Sequence, residues 1–275
     1  MPEVQAHAER MAAALVGARL DAVQVLNVTA LKTFDPAVDA AVGLGLDGVG
    51  RRGKHLLLRF GDLTLVVHLM QGGRLRPDPK AARKPRGGLL RWRFDEGRDW
   101  LLTEAGTERR AGVWAVRGDP TNQPPLDDLG PEADQVDRDT LAAICGGASM
   151  RLHGMLRDQR LLAGIGRMLA NEICYEAALS PFANAAKLDD AEVDRLHAAI
   201  GATTAAALAH ERTLDDIGRS ADRPSKVHHR GGEPCRDCDD TVRTVEYRSY
   251  TVAYCPTRQT GGKVLADNTT SRFLR

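Results

Sequence analysis

The run Asp-Gln-Arg-Leu-Leu-Ala-Gly-Ile-Gly-Arg-Met-Leu-Ala-Asn-Glu, from Asp158 to Glu172, constrains the fold more than any other stretch of the chain. A polar turn leads into Gly164-Ile165-Gly166, and a helical pattern follows at once. Glycines there let a backbone approach something closely. A helix that starts just after them turns free N–H groups and a positive dipole end toward a phosphate. A dinucleotide-binding βαβ unit does not fit. The residues before Gly164 are Arg157-Asp158-Gln159-Arg160 rather than a buried strand, and the third glycine is missing. A helix–turn–helix gripping a nucleic-acid phosphate fits better.

At 275 residues, with 43% hydrophobic content, the chain can build one large or two ordinary cores. Aromatics make up only 4%, so those cores are aliphatic. No apolar run reaches the length of a membrane span, and the first residues lack a signal-peptide profile. Five cysteines, three of them near the C-terminus, argue against a disulfide framework and for a reducing cytosol. Net charge is only +1, but it is unevenly spread. Between Arg74 and Arg93 eight basic residues face one acid, Asp78, and from Asp127 to Asp139 the sign reverses. The basic run reads either as a solvated loop or as a loop facing phosphates.

Residues 2–17 read as a helix stopped by Gly17. Short apolar runs then follow at Val23–Val28, Leu56–Phe60, Leu63–Leu69, Leu89–Phe94, Trp100–Thr103 and Val113–Val116, punctuated by glycines. That spacing predicts a β-sandwich or barrel. Thr121-Asn122-Gln123-Pro124-Pro125 breaks the pattern as a linker. Helices are predicted at 138–146, 149–157, 167–178 and 189–209, with a short piece at 213–218, and Asp189 or Asp190 as cap of the longest. A small cysteine-bearing β module closes the chain.

Cys235-Arg236-Asp237-Cys238 has the spacing of a zinc knuckle. Cys255-Pro256-Thr257-Arg258 follows, with Arg258 where a fourth thiolate is needed. Three readings stay open. His228 or His229 supplies the fourth ligand; zinc sits on Cys235, Cys238, Cys255 and a water; or the hairpin keeps a ribbon fold with weak metal or none. A guanidinium cannot ligate zinc.

Pro2-Glu3-Val4, Arg51-Arg52-Gly53-Lys54, His68-Leu69-Met70-Gln71-Gly72-Gly73-Arg74-Leu75, Gly130-Pro131-Glu132, the Gly164–Glu172 run and the terminal ribbon together resemble the formamidopyrimidine-DNA glycosylase / endonuclease VIII family. The landmarks fall in the family's order and span the chain. The resemblance implies an α+β fold: an N-terminal helix plus β-sandwich, then a helix-two-turn-helix domain and a zinc-ribbon-like β-hairpin, zinc-bearing or zincless. The expected divisions are a catalytic sandwich domain at 1–120, a linker at 121–137, a DNA-binding helical domain at 138–220 and a finger module at 221–275.

The resemblance also implies base excision repair, with removal of a damaged base and nicking of the abasic strand. Pro2, freed of Met1, would attack C1′ of the nucleoside and form a Schiff base. Glu3 would protonate the sugar ring oxygen. Lys54 would face the phosphate beside the lesion. Gln71 would fill the hole left by the everted base. Arg109 and Arg110 stand in the family's Arg-Arg-Phe-Gly turn, where Ala111 replaces the aromatic wedge. Gly166, Arg167 and Lys263 would meet the DNA backbone, with Gln259 to Gly262 and Arg272 at the finger tip. Zinc is the implied cofactor, on Cys235, Cys238 and Cys255. Damaged double-stranded DNA is the implied partner of a cytoplasmic, nucleoid-associated monomer. Pro2-Glu3-Val4-Gln5 matches the second of the family's two Pro-Glu pairs better than the first, so an upstream start is one expectation. A DNA-damage binder with little or no catalysis is the alternative reading.

Overall fold

The computed structural model describes residues 1–106, 109–217, 222–247 and 250–265. The chain divides into two compact units. One comprises residues 2–128 with 211–217, and the other Met1, residues 129–210 and the residues from 218 onward.

The first unit opens with helix α1 (Pro2–Leu15). Proline is tolerated at a helix start because its missing N–H has no intrahelical partner there. Two antiparallel sheets follow. One has the order β1 (Leu20–Val25), β6 (Gly88–Phe94), β7 (Trp100–Glu104), β5 (Gly73–Pro77). The other has the order β2 (Gly48–Arg52), β3 (His55–Phe60), β4 (Leu63–His68), β8 (Gly112–Arg117). Leu56, Leu58, Phe60, Leu65 and Val67 share a core with Leu90, Trp92 and Leu102, and Met11 and Leu15 of α1 join it. The expected strand at Val23–Val28 ends earlier. Leu26 and Asn27 both donate to the Leu89 carbonyl at 3.0 Å, and Asn27 then caps a 3-10 turn. Strands β2 and β5 escape the apolar pattern because each is an edge strand. Gly-Val-Gly-Arg-Arg buries no residue fully, and β5 buries only Gly73 and Leu75.

The second unit carries helices α2 (Arg138–Gly147), α3 (Leu152–Arg157) and α4 (Arg167–Glu176), and most of α5 (Asp190–Arg212). Asp137 caps α2 through the Thr140 N–H at 2.8 Å. Asp189 and Glu192 form a reciprocal box at the head of α5, each accepting the other's backbone N–H at 2.8 and 3.1 Å. Leu141, Leu152, Met155, Leu162, Ile165, Ile173, Leu196 and Ile200 make the core. The hairpin β9 (Arg243–Tyr247) and β10 (Tyr250–Tyr254) and the short helix α6 (Pro256–Thr260) complete the unit. Helix α3 starts three residues later than expected because Arg151 bridges to Asn184 in extended backbone. The short helix expected at 213–218 does not form over the described residues 213–217. That segment is pinned as a turn. Arg10 donates to the Glu211 and Leu214 carbonyls at 3.0 Å, Arg76 pairs with Asp216, and Ile217 enters the sandwich core.

Candidate functional site

In the first unit, Lys54 sits in the two-residue turn between β2 and β3, closed by the Arg52–His55 pair. Gly53 carries the positive φ of 55° that the hairpin requires. His55 lies opposite His68 on β4, with ring centroids 4.5 Å apart, and Trp114 meets His55 edge-on. Both rings are held neutral, His55 down at about 3 and His68 at about 4. Burial is the main cause for each, and the Lys54 charge adds to it. The His68 Nδ1 therefore stays an acceptor, and it takes the Met70 N–H at 3.0 Å. Met70 is forced to a φ of 52°, and exposed Gln71 follows it at the head of the loop into β5. One imidazole pair thus braces both the Lys54 turn and the Gln71 loop.

Pro2 is buried as the first residue of α1, and Glu3 follows on the same turn. One turn on, Gln5 accepts from the Arg51 Nε at 3.0 Å. The start of α1 is thereby tied to the strand whose end carries Lys54. Arg109 and Arg110 are exposed. Ala111 is 1% exposed, and its N–H donates to the buried Glu104 carboxylate at 2.7 Å. Nothing at that position projects as a wedge.

The basic run resolves into two parts. Arg91 is fully buried, donating to Asp78, Gln24 and the Ala82 carbonyl at 2.7 Å, so it anchors the loop after β5. Arg76 pairs with Asp216, and Arg93 lies 3.6 Å from Asp99. Lys80, Arg83, Lys84 and Arg86 remain exposed on the loop itself.

In the second unit, Gly166 is the N-cap of α4 and offers no side chain there, while Arg167 opens the helix. The preceding turn is shaped by a residue that the sequence does not single out. Gln159 donates to the Arg157 and Ile165 carbonyls at 2.8 and 2.9 Å and accepts the Gly164 N–H at 2.9 Å. A single carboxamide therefore holds both sides of the Gly-x-Gly turn. Gly164 has a φ of 103°, and a Cβ there would lie 2.8 Å from the Met1 sulfur. Glu172 is a second such residue. Its carboxylate accepts the N–H groups of Lys226, Val227 and His228 at 2.7, 3.1 and 2.8 Å.

The Cys235, Cys238 and Cys255 sulfurs lie within 4.8 Å of one another, close enough to hold a metal ion such as zinc. His228 is not their fourth partner. Its Nδ1 is 2.9 Å from the Asn171 amide nitrogen, and among the described residues the cluster stops at the three thiols. The Arg258 side chain is bound by other groups. Its Nε donates to the Tyr175 carbonyl at 2.9 Å, its Nη1 lies 3.4 Å from Asp237, and its guanidinium lies 4.8 Å from the Tyr175 ring centre. The Tyr175 hydroxyl is 3.0 Å from the Cys235 sulfur. Burial pushes the Cys255 thiol up to about 12. Lys263 is exposed just beyond α6, where Gly261 and Gly262 both take positive φ. Arg272 lies outside the described residues.

A family model described as the formamidopyrimidine-DNA glycosylase N-terminal domain matches residues 1–114, and one for the H2TH domain matches residues 129–216. A formamidopyrimidine-DNA glycosylase-like protein of Mycobacterium tuberculosis is 40% identical over 149 residues, covering 54% of this chain and 94% of that protein. The formamidopyrimidine-DNA glycosylase of Symbiobacterium thermophilum is 31% identical over 268 residues, covering 93% of this chain and 87% of that protein. Among solved structures, the MutM (Fpg) protein of Thermus thermophilus superposes with a TM-score of 0.82 at 27% identity, over 96% of this chain and 99% of that one. A Lactococcus lactis formamidopyrimidine-DNA glycosylase, solved non-covalently bound to DNA containing an AP site, superposes at 0.83 and 20% identity, over 94% and 99% of the two chains, and shows the shared fold. No helix among the described residues is long and apolar enough to cross a membrane. The chain belongs to the formamidopyrimidine-DNA glycosylase family.

Proposed function

We propose that this protein is a DNA glycosylase with AP lyase activity, acting as a monomer on damaged bases in double-stranded DNA in the cytoplasm, at the nucleoid. The carrying observation is the Gln5–Arg51 hydrogen bond of 3.0 Å, which ties the head of α1 to the strand that ends in the Lys54 turn. A nucleophile at Pro2, an acid at Glu3 and a phosphate-facing cation at Lys54 then belong to one neighbourhood. Removal of Met1 exposes Pro2 as a secondary amine, and an α-amino group with a pKa near 8 is partly unprotonated at neutral pH. That amine attacks C1′, Glu3 protonates the ring oxygen, and the resulting Schiff base permits strand scission. Gln71 fills the space of the everted base. Arg109, Arg110, Arg167, Lys263 and the α4 start at Gly166 hold phosphates. Residues 1–120 act as the catalytic domain, 121–137 as linker, 138–220 as the DNA-binding helical domain and 221–275 as the finger.

Any zinc at the thiol cluster would sit on Cys235, Cys238 and Cys255 with an outside fourth donor, and the finger fold would not require it. Bound zinc would supply only structural cross-linking there.

A second reading, a damage-binding protein with weak or no catalysis, is favoured by Ala111, which is 1% exposed and cannot fill a gap in the duplex. Incubation with abasic-site duplex and sodium borohydride separates the two. The enzyme reading expects a covalent adduct and strand cleavage without reductant. Tight binding with neither product leaves the binding reading.

A further inference from the structure

Structural zinc sites take four protein donors, and a guanidinium is not one of them. Here the cluster ends at three thiols among the described residues, and the side chain in the fourth position is already engaged elsewhere. Arg258 binds the Tyr175 and Glu176 carbonyls at 2.9 and 3.4 Å, reaches Asp237 at 3.4 Å and lies over the Tyr175 ring. Tyr175 and Glu176 close α4, so this clamp fastens the finger to the helix without an ion. The thiols are left beside one another with no obligatory metal between them.

Their surroundings differ. Cys238 is half-buried, whereas Cys235 and Cys255 are buried. The Cys238 and Cys255 sulfurs are 3.4 Å apart. Cys235 is held by the Tyr175 hydroxyl at 3.0 Å. That arrangement supplies a thiol an oxidant can reach and a second thiol 3.4 Å from it, while the third is also bound by a tyrosine hydroxyl.

We propose that Cys238 and Cys255 form a reversible disulfide when the protein meets a peroxide, so that the finger is a thiol modification site rather than an obligatory metal site. The Cys238 sulfur attacks one peroxide oxygen and the O–O bond breaks. A sulfenic acid forms, and the departing hydroxide leaves as water with the thiol proton. The Cys255 sulfur then attacks the sulfenic sulfur, the S–S bond forms, the S–O bond breaks, and a second water leaves. Two thiols and one hydrogen peroxide give one disulfide and two waters. The sulfurs are oxidised and the peroxide oxygens reduced. This chemistry does not depend on the DNA glycosylase reading.

The test uses the full chain, treated with chelator, exposed to hydrogen peroxide, alkylated at its remaining thiols and digested with trypsin. Arg236, Arg243 and Arg248 place Cys235, Cys238 and Cys255 on three separate peptides. The expected map joins the Cys238 and Cys255 peptides, with a mass two hydrogens below their sum. Dithiothreitol separates them, and Cys145, Cys174 and Cys235 remain alkylated. Cys235→Ser keeps the cross-link, whereas Cys238→Ser loses it; the wild-type map decides the matter if either variant fails to fold. A Cys235–Cys238 bridge, a sulfinic acid at Cys238 without a cross-link, or one zinc per chain that survives the chelator and shields all three thiols would overturn the proposal.

Discussion

In the sandwich, Leu58, Phe60, Leu65, Trp92 and Leu102 from two sheets meet in one apolar core, and the charged candidates Lys54, Arg109 and Arg110 lie outside the strands. The finger has far less to bury. Its core is Tyr175, Val227, Cys235, Val242, Ala253 and Cys255, and polar contacts do the rest. Glu172 collects three backbone N–H groups, Asn171 reaches His228 and the Ala253 N–H, and Arg258 and Gln259 bind carbonyls at the end of α4 and just beyond it. The difference lies in how each region fails. An apolar core loses stability in proportion to the volume removed. A polar staple, once removed, leaves buried partners unbonded, and each costs about 1–3 kcal/mol.

Acid is expected to act most strongly, and on both units. His7, His68 and His228 are pushed down to about 4, and His55 and His153 to about 3, with burial the first cause in each. In the unfolded chain they titrate near 6.5. Between those values the unfolded chain binds more protons, so stability is fully present above pH 6.5 and is lost as pH falls toward 4. At pH 5 each buried histidine costs on the order of 2 kcal/mol, a sizeable share of the roughly 5–15 kcal/mol of an ordinary domain. All three tryptophans, Trp92, Trp100 and Trp114, lie in the sandwich, so their fluorescence reports that unit while far-UV circular dichroism weights the helices. Unchanged melting temperature between pH 7 and pH 5 would show that the imidazoles are not buried neutral.

Glu172→Ala comes next, at several kcal/mol, concentrated in the finger. Amide exchange at Lys226, Val227 and His228 should rise sharply while the sandwich strands stay protected. Equal protection before and after would mean that apolar packing alone holds the finger. Arg258→Ala should cost about 2 kcal/mol through lost hydrogen bonds and ring contact. R258C would complete four thiolates, and its melting temperature should then depend on zinc. A wild-type melting temperature for R258C with chelator present would contradict the clamp. Gln159→Leu is the smallest expected effect, roughly tenfold in duplex affinity, or about 1.4 kcal/mol. It should also flatten the dependence on salt by about one phosphate contact. Fluorescence anisotropy over a salt series checks it, and wild-type affinity in that variant would show that the turn held by Gln159 does not contact phosphate.

Much of the fold is legible in the chain because burial leaves a period behind. Leu56–Phe60, Leu63–Leu69 and Leu89–Phe94 announce central strands by their apolar content, and Asp189 announces the head of α5 by its side-chain chemistry. Edge strands β2 and β5 leave no such trace, since one face of an edge strand with few neighbours has little to bury. Arg91 is hidden for a different reason. In a run of basic residues its charge looks like its neighbours', and only the convergence of Asp78, Gln24 and the Ala82 carbonyl marks it as structural. Gln159 and Glu172 are similar cases. Their partners lie in backbone amides and carbonyls, which no side-chain pattern records. His228 is a different case: its imidazole is one of three open readings for the fourth zinc donor, whereas in the fold Asn171 holds it in place.

We propose that Pro2, at the head of the helix that Gln5 ties to the Lys54 strand, carries covalent chemistry. The direct measurement is borohydride reduction of the protein on abasic-site duplex, followed by mass mapping of the modified residue. A sugar-derived adduct on the Pro2 nitrogen is expected, and acylation of that nitrogen should abolish it with duplex binding retained. Full binding with no adduct, or an adduct confined to a lysine side chain, would contradict it.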